Sequence, residues 1–309
     1  MRTAEYPRPD HVLAHFSDTH LRHPDSPLLR GVLDPRVPLS ELLAGLLLSG
    51  HEPELLVLTG DLSDDGTAES YRELRGLVDP VAGELGARVV WLNGNHDDRA
   101  TFRTELLGLP AGDEPINQVH WLGGLRILCL DSTVPGRDVG EVSDDSLGWL
   151  AGQLADPAPE GTLLAMHHAP VPVVQDLAAS WELVGQQQLA EVVRGSDVRC
   201  ILGGHFHQTS YGLFAGVEVS AATATSYTQD LFAGRGSRGQ AGGQGFNLVR
   251  VYADTVNHTV VPVGRHGGVT TGRDEAGAAA ELTRRGVRIA GRPTTPSAGP
   301  GPEGAPPGQ

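Results

Sequence analysis

Thr59-Gly60-Asp61-Leu62-Ser63-Asp64 directly follows the apolar run Leu55-Leu56-Val57-Leu58, and this stretch decides the fold. The run predicts a buried strand, so Asp61 should lie on a glycine turn at the carboxyl end of that strand. A carboxylate in such a position can be shared between two cations. Four other segments carry Asp, His or Asn in matching positions: Asp18-Thr19-His20, Gly94-Asn95-His96-Asp97, Met166-His167-His168 and Gly204-His205-Phe206-His207. Together, the five segments predict a two-metal hydrolytic centre.

Apolar and polar runs alternate along the early chain in a way that is typical of an α/β fold. Strands that alternate with helices predict right-handed crossovers and a largely parallel sheet. Ser40 is a candidate cap for the first helix, Pro80 should end or kink the second, and Asp144 can cap a later one. The strands predicted to deliver the polar segments are residues 11–17, 55–59, 88–92, 162–166 and 198–202.

The middle of the chain predicts antiparallel pairing. Residues 118–122 and 125–130 flank Gly123-Gly124, which is a common hairpin signal, and the pattern after Gln208 is all-β. Parallel βα units followed by a β-rich half predict two mixed β-sheets that pack face to face, with helices on the outside.

Composition limits the partners and the setting. The 309 residues carry a net charge of −15, which argues against a nucleic-acid polymer as partner because phosphate-backbone binding needs a basic face. Cys129 and Cys200 lie within apolar strand-like runs and are expected to be buried free thiols. The N-terminus has no apolar signal-peptide region, and no run approaches the roughly 18 apolar residues of a membrane helix. A cytoplasmic location is therefore expected.

Composition also predicts the domain organisation. We expect residues 1–270 to form the catalytic domain and residues 271–309 to form a flexible Gly/Pro-rich tail. Residues 291–309 are mostly Gly, Pro, Ser, Thr and Ala, which bury too little apolar surface to offset the entropy of ordering. The sequence also allows a short helix over residues 276–285.

Five short motifs occur in a fixed order: Asp-x-His, Gly-Asp-x-x-Asp, Gly-Asn-His-Asp, a strand-end His, and Gly-His-x-His. Each motif alone is a weak signal, but the ordered set resembles the calcineurin-like metallophosphoesterase superfamily. Outside the tail, the chain is most similar to the bacterial class III cyclic-nucleotide phosphodiesterases, especially the mycobacterial members. The resemblance implies a four-layer αββα sandwich and makes a homodimer plausible.

The resemblance also implies a ligand set, in which Asp61 bridges two metal ions. One ion would be held by Asp18, His20, Asp61 and His207, and the other by Asp61, Asn95, His167 and His205. His168 stays open as an alternative to His167, because Ala169 stands where relatives often have the first of two prolines. Mn and Fe are the expected metals, and Zn or Co accept the same donors.

The implied reaction is attack of a metal-bound hydroxide on phosphorus. His96 is expected to stabilise or protonate the leaving oxygen, with Asp64 holding its imidazole. Asn95, His96 and His207 are expected to contact the substrate. Further candidates for substrate contact are His23 and the loop residues Arg235 and Arg238.

Function follows as an expectation from this resemblance. The chain is expected to hydrolyse cyclic nucleotides to nucleoside monophosphates, with 3′,5′-cyclic AMP as the first candidate. Other phosphodiesters, including 2′,3′-cyclic nucleotides and glycerophosphodiesters, and phosphomonoesters are alternatives, because the metal core does not select the substrate. A non-catalytic scaffold of the same fold is an alternative of another class, but scaffolds lose ligand residues and this chain retains them together with His96.

Overall fold

The computed structural model describes residues 1–234, 236–264 and 272–291. The chain divides into two compact units, residues 11–265 and a terminal unit of residues 1–10 and 266–309. The main strands of the larger unit are β1 (His11–Phe16), β2 (Leu55–Thr59), β3 (Arg88–Leu92), β4 (Gln118–Leu122), β5 (Leu125–Cys129), β6 (Thr162–His168), β7 (Val198–Gly204), β8 (Ser210–Phe214), β9 (Val217–Ala221), β10 (Gly245–Val251) and β11 (Val256–Pro262). Its α-helices are α1 (Arg36–Leu48), α2 (Ala68–Leu85), α3 (Arg99–Glu105), α4 (Asp144–Leu154) and α5 (Gln186–Val193).

These strands form two mixed sheets. The first sheet has the order β11-β10-β1-β2-β3, in which β1, β2 and β3 are parallel and β10 is antiparallel to both of its neighbours. The second has the order β8-β9-β7-β6-β5-β4, with four parallel central strands and an antiparallel strand at each edge. The predicted hairpin is present, since Leu122 pairs with Leu125 across Gly123-Gly124.

Alternating side chains explain why the sheets pack in layers. Within β2, Leu55 and Val57 point into a core shared with Cys200 and Leu202 of the second sheet. The intervening residues of β2 pack on the other face, against α1 and α2. Helices α4 and α5 cover the outer face of the second sheet. Because a strand alternates its side chains between two faces, strands apolar on both faces are buried in the middle of a sandwich. The predicted αββα class is confirmed.

Three helix boundaries differ from their predictions. Helix α1 begins at Arg36, so Ser40 lies inside it, and Pro38 is tolerated because backbone N–H groups of the first turn have no intrahelical partner. Helix α2 continues through Pro80 and ends at Gly86, because buried side chains on both sides of the proline pack into the core. Helix α4 is capped by Ser143 instead of Asp144, which lies in its first turn.

The terminal unit contains a short parallel pairing between Arg2–Thr3 and Val287–Arg288. It also contains the helix α6 (Glu275–Arg284), one residue away from the range that the sequence allows. Residues 292–309 of the predicted flexible tail lie outside the described residues. The functional division into residues 1–270 and 271–309 stays a prediction.

Both cysteines are buried free thiols, as predicted. In the part of the chain that the structure describes, no helix has the length and apolar character needed to cross a bilayer.

We predict that the core between the sheets contributes strongly to stability. Leu202 is fully buried there, so Leu202→Ala should lower the free energy of unfolding in urea by about 2–5 kcal/mol. Leu213→Ala is the matched control, because Leu213 is 78% exposed and its truncation should change stability by no more than about 0.5 kcal/mol. Equal losses for the two variants would contradict this description of the core.

Candidate metal centre

The predicted polar segments meet at one edge of the two sheets. Asp18 follows β1, Asp61 follows β2 and Asn95 follows β3, whereas His167 lies at the end of β6 and His205 follows β7. Carboxyl ends of parallel strands lie at the same edge of a sheet, which is where ligand sites form in α/β folds. Both sheets therefore contribute side chains to one buried cluster.

The first group of candidate ligands consists of Asp18, His20, Asp61 and His207, all buried, with one donor atom from each within 4.8 Å of the others. Nε2 of His20 lies 3.0 Å from Nε2 of His207 and 3.5 Å from Oδ2 of Asp61. Oδ1 of Asp18 lies 3.4 Å from Nε2 of His207. Such converging imidazole and carboxylate donors suit Mn, Fe, Zn or Co.

The second group surrounds His167. Its Nε2 lies 3.3 Å from Oδ1 of Asp61, 3.1 Å from Oδ1 of Asn95 and 3.3 Å from Nδ1 of His205. Asp61 thus presents one carboxylate oxygen to each group. This is the arrangement that a bridging carboxylate requires.

Hydrogen bonds on the far side of each imidazole orient the candidate ligands. His167 Nδ1 donates to the Thr59 carbonyl at 2.7 Å, and His207 Nδ1 donates to the Tyr227 carbonyl at 2.7 Å. The other two histidines also donate to oxygen atoms. Nε2 of His205 donates to the Trp181 carbonyl at 2.8 Å, and Nδ1 of His20 donates to the Asp64 carboxylate at 3.2 Å. Because these oxygens accept and cannot donate, they bind the N–H of one ring nitrogen and leave the second nitrogen facing the cluster, where it can offer a lone pair to a metal when it is deprotonated. Metal-binding histidines are typically held in this way, so the donors fit two cations.

Backbone strain is concentrated at the same residues. A positive φ is unfavourable for residues other than glycine and often marks a functional site. Among the described residues, Arg30 and Ala215 are the only non-glycine residues with positive φ outside the cluster. The others are Asp18 (55°), His20 (44°), Asp61 (49°), His205 (75°) and His207 (53°).

Glycines let the turns approach the carboxylates closely. A Cβ at Gly94 would lie 2.2 Å from the Asp61 nitrogen and 2.3 Å from its Oδ1. A Cβ at Gly204 would lie 2.6 Å from Oδ2 of Asp18. The glycines of the Gly-Asn-His-Asp and Gly-His-x-His motifs are therefore sterically required.

The electrostatics of the cluster favour a cation. Burial alone would lower the pKa of His167, but Asp61 and Asp18 outweigh it and raise this pKa to about 9. Burial lowers the pKa of His207 to about 4 and also lowers the pKa of His20 and His205. Without a metal, a protonated His167 balances the buried carboxylates, whereas the imidazoles of His20, His205 and His207 are neutral. A bound cation would replace the proton of His167, as metal binding releases protons from its ligands.

Asp97 is a positioning residue to which the sequence assigned no role. Its carboxylate accepts hydrogen bonds from the backbone nitrogens of Leu62 (3.0 Å), Ser63 (2.9 Å) and Gly94 (2.8 Å). It therefore ties the turn of Asp61 to the turn of Asn95. Burial and the neighbouring Asp61 raise the pKa of Asp97 to about 6. The sequence feature that could have identified Asp97 is its position at the end of the Gly-Asn-His-Asp motif.

His96 and Asp64 lie beside the first group. The backbone nitrogen of His96 donates to Oδ1 of Asp61 at 2.9 Å, and its partly exposed imidazole lies 3.7 Å from Oδ1 of Asp64. The same Asp64 oxygen is closer to His20, at 3.2 Å. Asp64 therefore contacts both rings, and its hydrogen bond is with His20.

The histidine doublet is distinguished by its contacts. Nδ1 of His168 lies 2.9 Å from the Ser132 hydroxyl, and its Nε2 lies 3.2 Å from the Asp138 carbonyl. One nitrogen of His168 lies within 4.8 Å of donor atoms of His167 and His205, but both of its nitrogens also have partners outside the cluster. His167 directs one nitrogen to Asp61, Asn95 and His205, so the geometry favours His167.

Two of the remaining candidate substrate contacts, His23 and Arg238, have their described contacts outside this cluster. The backbone of His23 donates to Asp65 at 2.9 Å, and its Nδ1 accepts from the Asp25 nitrogen at 3.2 Å. Arg238 forms an ion pair with Asp230, and Arg235 lies outside the described residues. Substrate contacts of these residues stay predictions.

Known proteins are similar to this chain in sequence and in fold. The chain is 51% identical over 292 residues to a probable cyclic nucleotide phosphodiesterase of Rhodococcus erythropolis, covering 94% of this chain and 96% of the relative. It is 52% identical over 273 residues to a cAMP/cGMP dual specificity phosphodiesterase of Mycobacterium tuberculosis, covering 88% and 85%. A dimetal phosphatase from Danio rerio has the same fold, with a TM-score of 0.60, 13% identity and coverage of 82% of this chain and 96% of that one.

Residues 11–209, from β1 through the last histidine of the cluster, match the calcineurin-like phosphoesterase family. This range includes every candidate ligand described above. The chain therefore belongs to the calcineurin-like phosphoesterase family.

Proposed function

We propose that this protein is a dinuclear metal-dependent phosphodiesterase that opens 3′,5′-cyclic nucleotides, with cyclic AMP as the first substrate. The observation that carries the proposal is the position of Asp61, whose two carboxylate oxygens lie 3.5 Å from His20 and 3.3 Å from His167. The names of the relatives from Rhodococcus and Mycobacterium support the substrate class.

Two ions, Mn or Fe in the first instance, fit the donor set. Asp18, His20, Asp61 and His207 would hold one ion, and Asp61, Asn95, His167 and His205 would hold the other. Bound there, the ions would neutralise charge on the phosphate oxygens and supply an activated water. Most of the donors are buried, with Asn95 and His205 partly exposed, and burial strengthens the electrostatic interactions at the site.

His96 is proposed as the acid that serves the leaving oxygen. Its imidazole is partly exposed at the edge of the cluster, whereas its backbone nitrogen is anchored on Asp61. This anchor keeps the ring next to the site without making it a ligand. Asp64 would orient His96 through their 3.7 Å contact and hold His20 through the shorter one.

The other features of the proposal come from the sequence alone. They are a homodimer, a cytoplasmic setting, a catalytic domain of residues 1–270, and substrate contacts from Asn95, His207 and His23. Two free thiols in the interior are compatible with a reducing setting. A non-catalytic scaffold is disfavoured by the complete donor set.

The function predicts metal-dependent turnover. Metal-stripped protein should be inactive and should regain hydrolysis of both 3′,5′-cyclic AMP and bis(p-nitrophenyl) phosphate when Mn is added, as measured by product formation. Activity on the activated diester alone would retain the metal centre but reject cyclic AMP as substrate. Two bound metals without turnover of either diester would reject a phosphodiesterase.

Gly94→Ala should impair metal binding, because the new Cβ would collide with Asp61. We expect the folded variant to bind fewer metal ions per chain, as counted by elemental analysis, with far-UV circular dichroism confirming the fold. Gly148→Ala is the matched control, since a Cβ there has no neighbouring atom within 4 Å. Normal metal content in Gly94→Ala would show that this close approach is not required.

His96→Ala should keep its metals and lose turnover. We expect kcat for cyclic AMP, which has a poor leaving group, to fall by about 10²- to 10⁴-fold, as general acid catalysis contributes. The loss on bis(p-nitrophenyl) phosphate should be smaller, because its leaving group needs little protonation. His51→Ala, a change outside the motifs, is the control. Turnover of cyclic AMP near that of the unaltered protein would remove His96 from the mechanism.

A further inference from the structure

A cavity of about 440 Å³ lies beside the candidate metal centre, and we call it the Tyr227 cavity. The Tyr227 ring packs against His207 with centroids 4.2 Å apart, and its carbonyl holds the same histidine. Trp181 also lines the cavity, and its carbonyl accepts a hydrogen bond from His205. Because two lining residues hold candidate ligands in place, the cavity adjoins the position where a phosphate would bind.

The lining combines aromatic, apolar and amide groups. Leu29 and Leu33 are apolar lining residues, and Trp181 and Tyr227 are the aromatic ones. Gln229 and Gln240 come from the hairpin that follows Tyr227. Cavities of about 300–1,000 Å³ with mostly apolar walls and a few polar groups are typical of small-molecule sites.

The charges along the lining argue against a cation. No carboxylate lines the cavity among the residues that the structure describes, and Arg30 is the one cation there. The Arg30 guanidinium also interacts with the Tyr227 hydroxyl, which holds it against the aromatic ring. A flat molecule that stacks on aromatic rings fits this environment better than a cation.

The two glutamines offer complementary hydrogen-bonding atoms. Oε1 of Gln229 accepts from Ser237, and Nε2 of Gln240 donates to Thr228 at 3.2 Å. The atoms not used in these bonds are the amide nitrogen of Gln229, a donor, and the amide oxygen of Gln240, an acceptor. A donor suits the N7 of adenine and an acceptor suits its N6-amino group, so the free amide atom of either glutamine can bind a purine edge.

We propose that the Tyr227 cavity binds the nucleoside part of the substrate. The purine stacks on Trp181 and Tyr227, and the amide of Gln229 or of Gln240 binds its edge while the phosphate occupies the metal centre. This inference rests on the proposed hydrolysis of cyclic nucleotides, and it assigns substrate recognition to residues outside the metal-binding motifs.

Filling the cavity tests the proposal. Ala241 and Val32 are exposed lining residues from separate segments, so Ala241→Trp and Val32→Trp should narrow the cavity without disturbing the core. Ala151→Trp on the exposed face of α4 is the matched control. The Mn-loaded variants are assayed on 3′,5′-cyclic AMP and on methyl p-nitrophenyl phosphate, which has no nucleoside. Adenosine binding is measured by calorimetry.

Each filling variant should raise the KM for cyclic AMP by about ten- to a hundredfold, as expected for the loss of base stacking. It should lose adenosine binding and leave kcat/KM for methyl p-nitrophenyl phosphate within about threefold of the control. An unchanged KM for cyclic AMP in both variants would overturn the proposal. If the unaltered protein hydrolyses only the small diester, the proposed function in cyclic AMP hydrolysis is wrong. In that case, adenosine binding that Ala241→Trp abolishes supports the cavity as a nucleoside site, and no binding overturns it.

Discussion

The carboxylate of Asp61 is the contact on which the site depends. Its Oδ2 faces His20 and its Oδ1 faces His167. Oδ1 also accepts a hydrogen bond from the backbone N–H of His96. Two turns must therefore lie close to the same residue. They can do so because Gly94 has no side chain and because Asp97 binds the backbone of both turns. A change of a few tenths of an ångström at Asp61 would alter both groups of candidate ligands together.

Without a bound ion, the residues of the site lower the stability of the folded protein. Asp18 and Asp61 are buried together, and burial together with the negative charge of Asp61 raises the pKa of Asp18 despite nearby histidines. Five residues of the cluster also have left-handed backbone conformations that an L-residue rarely adopts. Such strain persists only where the surrounding structure enforces it. Here the enforcing structure is a pair of sheets with strands that are apolar on both faces.

The motifs predicted much of this arrangement because metal ligands are side chains at strand ends. Asp61 follows a strand whose predicted bounds, 55–59, match the structure, and the two-sheet class followed from the same apolar runs. The orienting contacts were not predictable in this way, since the carbonyls of Thr59, Trp181 and Tyr227 carry no residue-specific signal. The prediction that Pro80 could end the second helix was wrong for a related reason. Its effect on α2 depends on the tertiary packing of the residues around it, which local propensity does not describe.

Stability and metal binding should be coupled through the core between the sheets. The first sheet contributes candidate ligands that follow its strands, namely Asp18, Asp61 and Asn95. The second sheet contributes His167 and His205. A ligand that binds only the folded state stabilises it in proportion to the logarithm of its concentration over its dissociation constant. Cations that join the two sheets would therefore offset the repulsion of the buried carboxylates. The apolar contacts of Leu55, Val57 and Leu202 keep the sheets together in their absence. The packing that gives the protein its sandwich thus also sets the distance between the two halves of its metal centre.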